Sequence, residues 1–208
     1  MEWGDAEGAK RLLREEIANG TELGHHIGDG ALSIGTARNH HRIPVAKGQA
    51  MPAWDPRPLK ATGITYCSSA QGADHTAGLV IDPKIDGEAA AVASQEIQIV
   101  NAICDSTGFC MFLGPSIDET RQFFTPFFGE EVTCEDVAAI GWECMQDEWA
   151  FNERAGLTAT DDSMADCLRD EGIGPDHAMK FDVPDDIVSM VRERQPATEN
   201  FFSKSPAG

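Results

Sequence analysis

At 208 residues and 41% hydrophobic content, the chain is long enough to bury one or two cores. Its 35 acidic and 16 basic residues give a net charge of −19, which disfavours nucleic-acid and anionic-membrane partners because no basic stripe is there to meet phosphates. Six cysteines without a C-x-x-C exclude a zinc framework and a small secreted disulfide scaffold. No apolar run approaches membrane-spanning length and the amino terminus is unlike a signal peptide, so the cytoplasm is the default location.

The first predicted helix runs from Asp5, as N-cap, to Ala18, with Leu13 and Ile17 on one face and Asn19-Gly20 as its stop. A second is expected from about Ile27 to Arg38, after Gly24-His25-His26. Adjacent histidines point to different sides of an element, so His25-His26 and His40-His41 read as surface pairs rather than joint metal ligands. Arg42 to Arg57 holds Pro44, Pro52 and Pro56 and is expected to be extended, with Asp55 and Arg57 pinning a loop to the core. Gly63 to Ala70 is built of small residues, which suit either close helix packing or close approach to a cofactor. It leads to Gly72-Ala73-Asp74-His75, where His75 is the one histidine outside a polar loop.

Glu88 to Cys104 is alanine-rich, with Val92, Ile99 and Ile103 at helical intervals. It delivers a carboxylate (Asp105), a flexible joint (Gly108) and a thiol (Cys110) within six residues. An Asp there can accept hydrogen bonds from an amino-heterocycle, and a Cys thiolate can hold iron. The plainer reading is a helix-capping Asp and a small buried hydrophobe, and both readings stand. Four phenylalanines at 123, 124, 127 and 128 point to a core plug or an inter-domain packing patch. Thr133-x-x-Asp136 resembles a capping box opening the best helix of the chain, which carries Trp142, Met145 and Trp149 toward Gly156. An acidic stretch follows, then a short helix from Pro184 to about Arg194. No segment alternates long enough to build a sheet, so the fold is expected to be mainly α-helical.

Several of these stretches resemble, in order, the aldehyde ferredoxin oxidoreductase family. Lys47-Gly48 through Pro52-Ala53-x-Asp55-Pro56-Arg57 is similar to the family's K-G-x-x-x-P-A-x-D-P-R. Gly63-x-x-Tyr66-x-x-Ser69-x-x-Gly72-Ala73-x-His75 is similar to G-L-x-Y-A-T-S-x-R-G-A-x-H, with Gln71 in place of the Arg. Asp105-Ser-Thr-Gly108-Phe109-Cys110 resembles D-x-x-G-L-C, with Phe109 in place of Leu. Phe151-Asn152-x-Arg154-Ala155-Gly156, Trp3-Gly4-Asp5 and Leu23-Gly24 with Gly28-x-Gly30-Ala31 extend the match.

The resemblance implies helical C-terminal domains lacking the family's β-rich pterin-cradle domain. Residues 1–44 are expected to be a remnant of a preceding helical domain, 45–195 the C-terminal helical domain and 196–208 a frayed tail. It also implies a tungsten (or molybdenum) bis-pterin and a [4Fe–4S] cluster, with aldehydes oxidised to acids and ferredoxin receiving the electrons. Asp105, Gly108, Phe109 and Cys110 would be the cofactor-binding residues: Asp105 on a pterin amino group, Phe109 through its backbone, and Cys110 as the last of four cluster thiolates. His75 would be catalytic, polarising the aldehyde oxygen or shuttling a proton. The family's other three cluster cysteines, its first D-x-x-G and its metal-side Glu are not in this sequence. Both cofactors are therefore expected only with an N-terminal half as partner. The competing expectation is a non-catalytic helical subunit or fragment that only packs against a partner.

Overall fold

Two 21-residue helices, Gly87–Thr107 (α5) and Cys134–Arg154 (α7), form the axis of the fold and pack on each other more extensively than any other pair. The computed structural model describes residues 2–196 and 201–203. Before α5 lie Ala6–Arg11 (α1), a π-helical turn at Leu12–Ile17, Glu22–Gly28 (α2), Gly30–Ala37 (α3) and Lys60–Ser68 (α4). A two-stranded antiparallel hairpin pairs Val45–Ala46 (β1) with Gln49–Ala50 (β2), Val45 opposite Ala50. After α5 come Ile117–Phe128 (α6), α7, Asp166–Asp170 (α8) and Asp185–Glu193 (α9). The mainly helical expectation holds.

Local chemistry sets these boundaries. Asp86 caps α5, its carboxylate accepting from the Gly87 N–H at 2.7 Å. Thr133 and Asp136 make the predicted reciprocal capping box on α7, and Ser116 and Glu119 make another on α6. Gly156 follows α7 with φ +100°, a left-handed position that favours glycine. Small residues then let the rods approach. A side chain on Gly141 would run into the Ile99 carbonyl across the α5–α7 contact, and one on Gly63 into Phe181. Every residue of α4 from Ala61 to Ser68 is buried, so the Gly63–Ala70 stretch serves close helix packing.

The core joins Ile64 and Tyr66 of α4, Ile99 and Ile103 of α5, Val137 and Trp149 of α7, and Val188 and Val191 of α9. Gln95 on α5 donates through Nε2 to the Val191 and Arg194 carbonyls, both at 2.8 Å, fastening the end of α9.

Three details differ from the sequence reading. Residues 22–37 form two helices, because Thr21 caps α2 and a break at Asp29–Gly30 separates it from α3; His25 and His26 therefore lie inside α2, paired loosely with Asp29 and Glu22. Helix α5 runs three residues past Cys104, so Asp105 stands on its last turn instead of after it. Phe201 is fully buried and the Phe202 carbonyl accepts from Asp118 N–H at 3.0 Å, so the expected fraying does not reach them. The remainder of that tail, 197–200 and 204–208, lies outside the described residues.

A buried charge cluster ties the hairpin to this frame. Lys47, at φ +49° in the turn, has a side chain only 3% exposed and pairs with Asp162 at 2.6 Å. Its ammonium also donates to the Cys67 carbonyl at the end of α4. Asp162 is shared with Arg192 at 2.7 Å, and that guanidinium lies 5.0 Å over the Trp149 ring. Trp149 in turn donates from Nε1 to the Ser68 carbonyl at 2.8 Å. Asp55 and Arg57 form the expected pinning pair, with Arg57 reaching on to the Glu171 carbonyl.

Candidate cofactor site

The end of α5 presents Asp105 to solvent, and no described residue donates a hydrogen bond to its carboxylate. It does not cap the helix: Gly108, in the left-handed region at φ +76°, ends it, and Thr107 closes the last carbonyls. One turn earlier, at i−4 on the same face, is Asn101, only 2% exposed. Its Nδ2 donates to the Thr76 carbonyl at 2.9 Å, which fixes the amide orientation and leaves Oδ1 without a partner. Asn101 and Asp105 line one narrow cleft with Ser69, Gln98, Cys144 and Glu148. Its Ala70, Gln71, Cys144 and Glu148 walls also bound a wider groove of about 680 Å³ that reaches Phe151 and Asn152 on α7.

The electrostatics of the cleft favour a donor-rich ligand. Burial, and then the neighbouring Asp74 charge, push the Asp105 carboxyl above the usual carboxylate range. Burial, followed by Asp105 itself, does the same to Glu148. A raised folded-state value means that the folded chain holds its proton to higher pH than the unfolded chain does. Stability is therefore lost as pH rises from the unfolded value through the folded one. Asp105→Asn should accordingly raise the melting temperature of the isolated chain at pH 7 slightly, the effect being damped by solvent at this exposed position, with the gain shrinking below the ordinary Asp range. A lower melting temperature in the variant would mean that the carboxylate is already satisfied by the fold.

The Asp74-His75-Thr76 turn sits beside this cleft. Asp74 Oδ1 accepts from the Thr76 N–H and hydroxyl, both at 2.8 Å, and Asn101 holds the same turn from α5. The half-buried His75 ring has Nδ1 3.6 Å from Asp74 Oδ1. The structure thus brings the His75 turn and Asp105 together through Asp74 and Asn101. Phe109 and Cys110 follow the helix end on an open loop. The Phe109 ring packs on Phe123, centroids 5.4 Å apart, and Cys110 is exposed. Cys104, buried on α5, is a different thiol: burial, then the charges of Asp105 and Cys110, push it up to about 11. Sequence reasoning missed Asn101 and Glu148. For Asn101 the i−4 spacing from Asp105 was the available signal, whereas Glu148 had none, since only the α5–α7 packing brings it there.

The family profile described as aldehyde ferredoxin oxidoreductase, domains 2 and 3, matches residues 1–193. The chain belongs to the aldehyde ferredoxin oxidoreductase family. It is 27% identical over 177 residues to the tungsten-containing aldehyde ferredoxin oxidoreductase of Pyrococcus furiosus, covering 78% of this chain and 29% of that protein. The Thermococcus kodakarensis enzyme of the same description is 26% identical over 174 residues, with 77% and 29% covered, and that of Pyrococcus abyssi 28% over 124 residues. The chain thus spans under a third of the length of these relatives.

The two cofactors that the family resemblance implies fare differently against the residues of this chain. An amino-pterin edge is rich in N–H donors, and the cleft offers it the buried, unpartnered Asn101 Oδ1 and the solvent-facing Asp105 carboxylate as acceptors; the residues fit it. A four-iron cluster needs four ligands, and no group of three or more metal-ligating side chains exists among the described residues. Cys110 alone does not make that site. Among the described residues no helix is long and apolar enough to cross a membrane.

Proposed function

We propose that this chain is the helical C-terminal part of a tungsten-pterin oxidoreductase that converts aldehydes to carboxylic acids with ferredoxin as acceptor, acting with the preceding portion of the enzyme. The reading rests on one observation above all. On a chain of this family, Asp105 and the orphaned Asn101 Oδ1 face one cleft beside the His75 turn. Oxidation of an aldehyde with water to an acid releases two electrons and two protons, and the metal–pterin group, when bound, supplies the two-electron acceptor.

This chain's share is binding, orientation and proton handling. Asp105 holds the pterin amino edge and Asn101 accepts beside it. His75 donates to the aldehyde oxygen or takes a released proton, its turn held in place by Asn101 and Asp74. The cleft is lined by Asp105 and Glu148 and, among the described residues, by no lysine or arginine, which disfavours retention of a carboxylate product. Cys110 contributes one thiolate to a cluster whose other ligands come from the preceding portion.

The test is co-expression of this chain with the preceding portion of the enzyme, followed by tungsten and iron analysis and release of the pterin as a fluorescent product. Native protein is expected to carry all three. Asp105→Asn, which places an amide N–H₂ against a donor-rich edge, should lower pterin and tungsten content roughly tenfold or more. A metal-free and pterin-free assembled protein would favour the packing-only reading.

A further inference from the structure

Helix α6 is thinly covered by the rest of the described chain. Of its twelve residues only Ile117 and Thr120 are buried. Phe124 packs against the core, but Phe127 is 80% exposed and Phe123 and Phe128 are more than half exposed. The loop after α5 adds Phe112 at 85% and Leu113 at 70%. These side chains form one face. Phe109 meets Phe123, Phe128 meets both Phe124 and Phe127 with centroids 5.5 and 5.0 Å apart, and Phe123 and Phe127 stand at i, i+4. Phe109, Leu113, Pro115 and Phe123 line a groove of about 460 Å³ on it, with Glu119 and Gln122 as its polar wall. An apolar face of this kind, on a chain of net charge −19, marks a place where another polypeptide belongs.

We infer that this Phe109–Phe128 face is a permanent, core-like interface for the part of the aldehyde ferredoxin oxidoreductase polypeptide that precedes the matched domains. The length outside the chain points to the occupant: less than a third of each relative is matched, and the family profile that matches is described as domains 2 and 3, which leaves a first domain outside it. The chemistry of the face agrees. Interfaces between permanently associated units are the more hydrophobic ones, whereas a transient electron carrier uses a smaller contact of lower apolarity. The face offers no lysine or arginine along its groove with which to draw in an acidic carrier. It is also continuous with Cys110 in the same loop, so whatever covers Phe109, Phe112 and Leu113 closes over that thiol. This last point rests on the proposed cofactor role of Cys110; the docking itself does not.

The experiment expresses the preceding portion as a separate polypeptide with a tag and measures its complex with this chain by co-purification and sedimentation. The native chain should co-purify in equimolar amount. Phe123→Asp/Phe127→Asp should weaken the complex on the order of 100-fold or more, the loss expected for two anchors, while the chain's own melting temperature holds because both rings are solvent-facing in it. Asp105→Asn/Cys110→Ser should bind the preceding portion as well as the native chain does, even where it lacks cofactors, so failure of the cofactor reading leaves this result standing. Three outcomes would overturn the inference. The first is undiminished co-purification of the double Asp variant; the second is loss of a concentration-dependent self-association alone, which assigns the face to a second copy; the third is an intact complex that loses only turnover with an electron carrier.

Discussion

Asp162→Ala should be among the most damaging single substitutions, costing about 3–5 kcal/mol, because it strands the desolvated Lys47 charge and leaves Arg192 with only Glu153, at 3.8 Å, as a carboxylate partner. Lys47 sits with 3% of its side chain exposed, and burial holds its ammonium below the usual lysine range against the opposing effect of Asp162. Arg192 loses its 2.7 Å partner at the same time, and its Nε is already without a hydrogen bond. For a chain of this size the loss corresponds to a fall of about 10 °C in Tm. Replacing all three members by apolar residues (Lys47→Met, Asp162→Leu, Arg192→Met) should recover most of it, since a buried cluster is stabilising mainly by comparison with its own broken form. A single-variant loss below about 1 kcal/mol would place these groups with solvated surface pairs.

That cluster also marks where the sequence stops being legible. The prolyl segment reads as extended, and nothing in it points to a buried ion at Lys47; the Asp162 that pairs with it, and the Arg192 that shares Asp162, lie 115 and 145 residues along the chain and no local pattern joins them. What depended on spacing was readable: the Thr133 capping box, Gly156 after α7, the long helix before Asp105, and the clustering of Asp105, Gly108 and Cys110. What depended on which faces meet was not. The four phenylalanines left a core plug and an inter-domain patch equally open, and only the placement of α6 separates Phe124, packed on the core, from Phe123, Phe127 and Phe128 facing out. Asn101 looked like an ordinary helix residue until its two amide atoms proved to have opposite fates, one bonded to Thr76 and one free.

Under the function proposed above, Cys110→Ser in the co-expressed, reconstituted enzyme should lose most of the bound iron and the electron transfer to ferredoxin, while Cys104→Ser keeps both and loses stability. The two thiols are six residues apart and differ in surroundings. Cys110 lies exposed on a loop, whereas Cys104 is buried and held protonated, with a value pushed up to about 11. Serine at 104 buries a hydroxyl in a thiol's place, at a cost of about 1–3 kcal/mol if it finds no partner. That cost should appear equally in the isolated chain. Serine at 110 should leave the isolated chain's Tm unchanged, because the thiol touches little there. Iron fully retained in Cys110→Ser, or equal losses in the two variants, would remove the D-x-x-G-x-C segment from the centre of the proposed function.

Helix α5 passes, along a single rod, from a middle in which Ser94 to Asn101 are all buried to a last turn in which Asp105 and Ser106 face water. Its amides should therefore exchange with solvent on two scales. Those in the middle should open only when the whole core unfolds, and those after Cys104 by local fraying that leaves the core intact. Of the groups proposed to meet a cofactor, Asn101 belongs to the stiff base, while Asp105 and the residues after it can rearrange without disturbing it. The entropy lost when they are fixed by a ligand or a covering polypeptide is confined to roughly ten residues past the helix end.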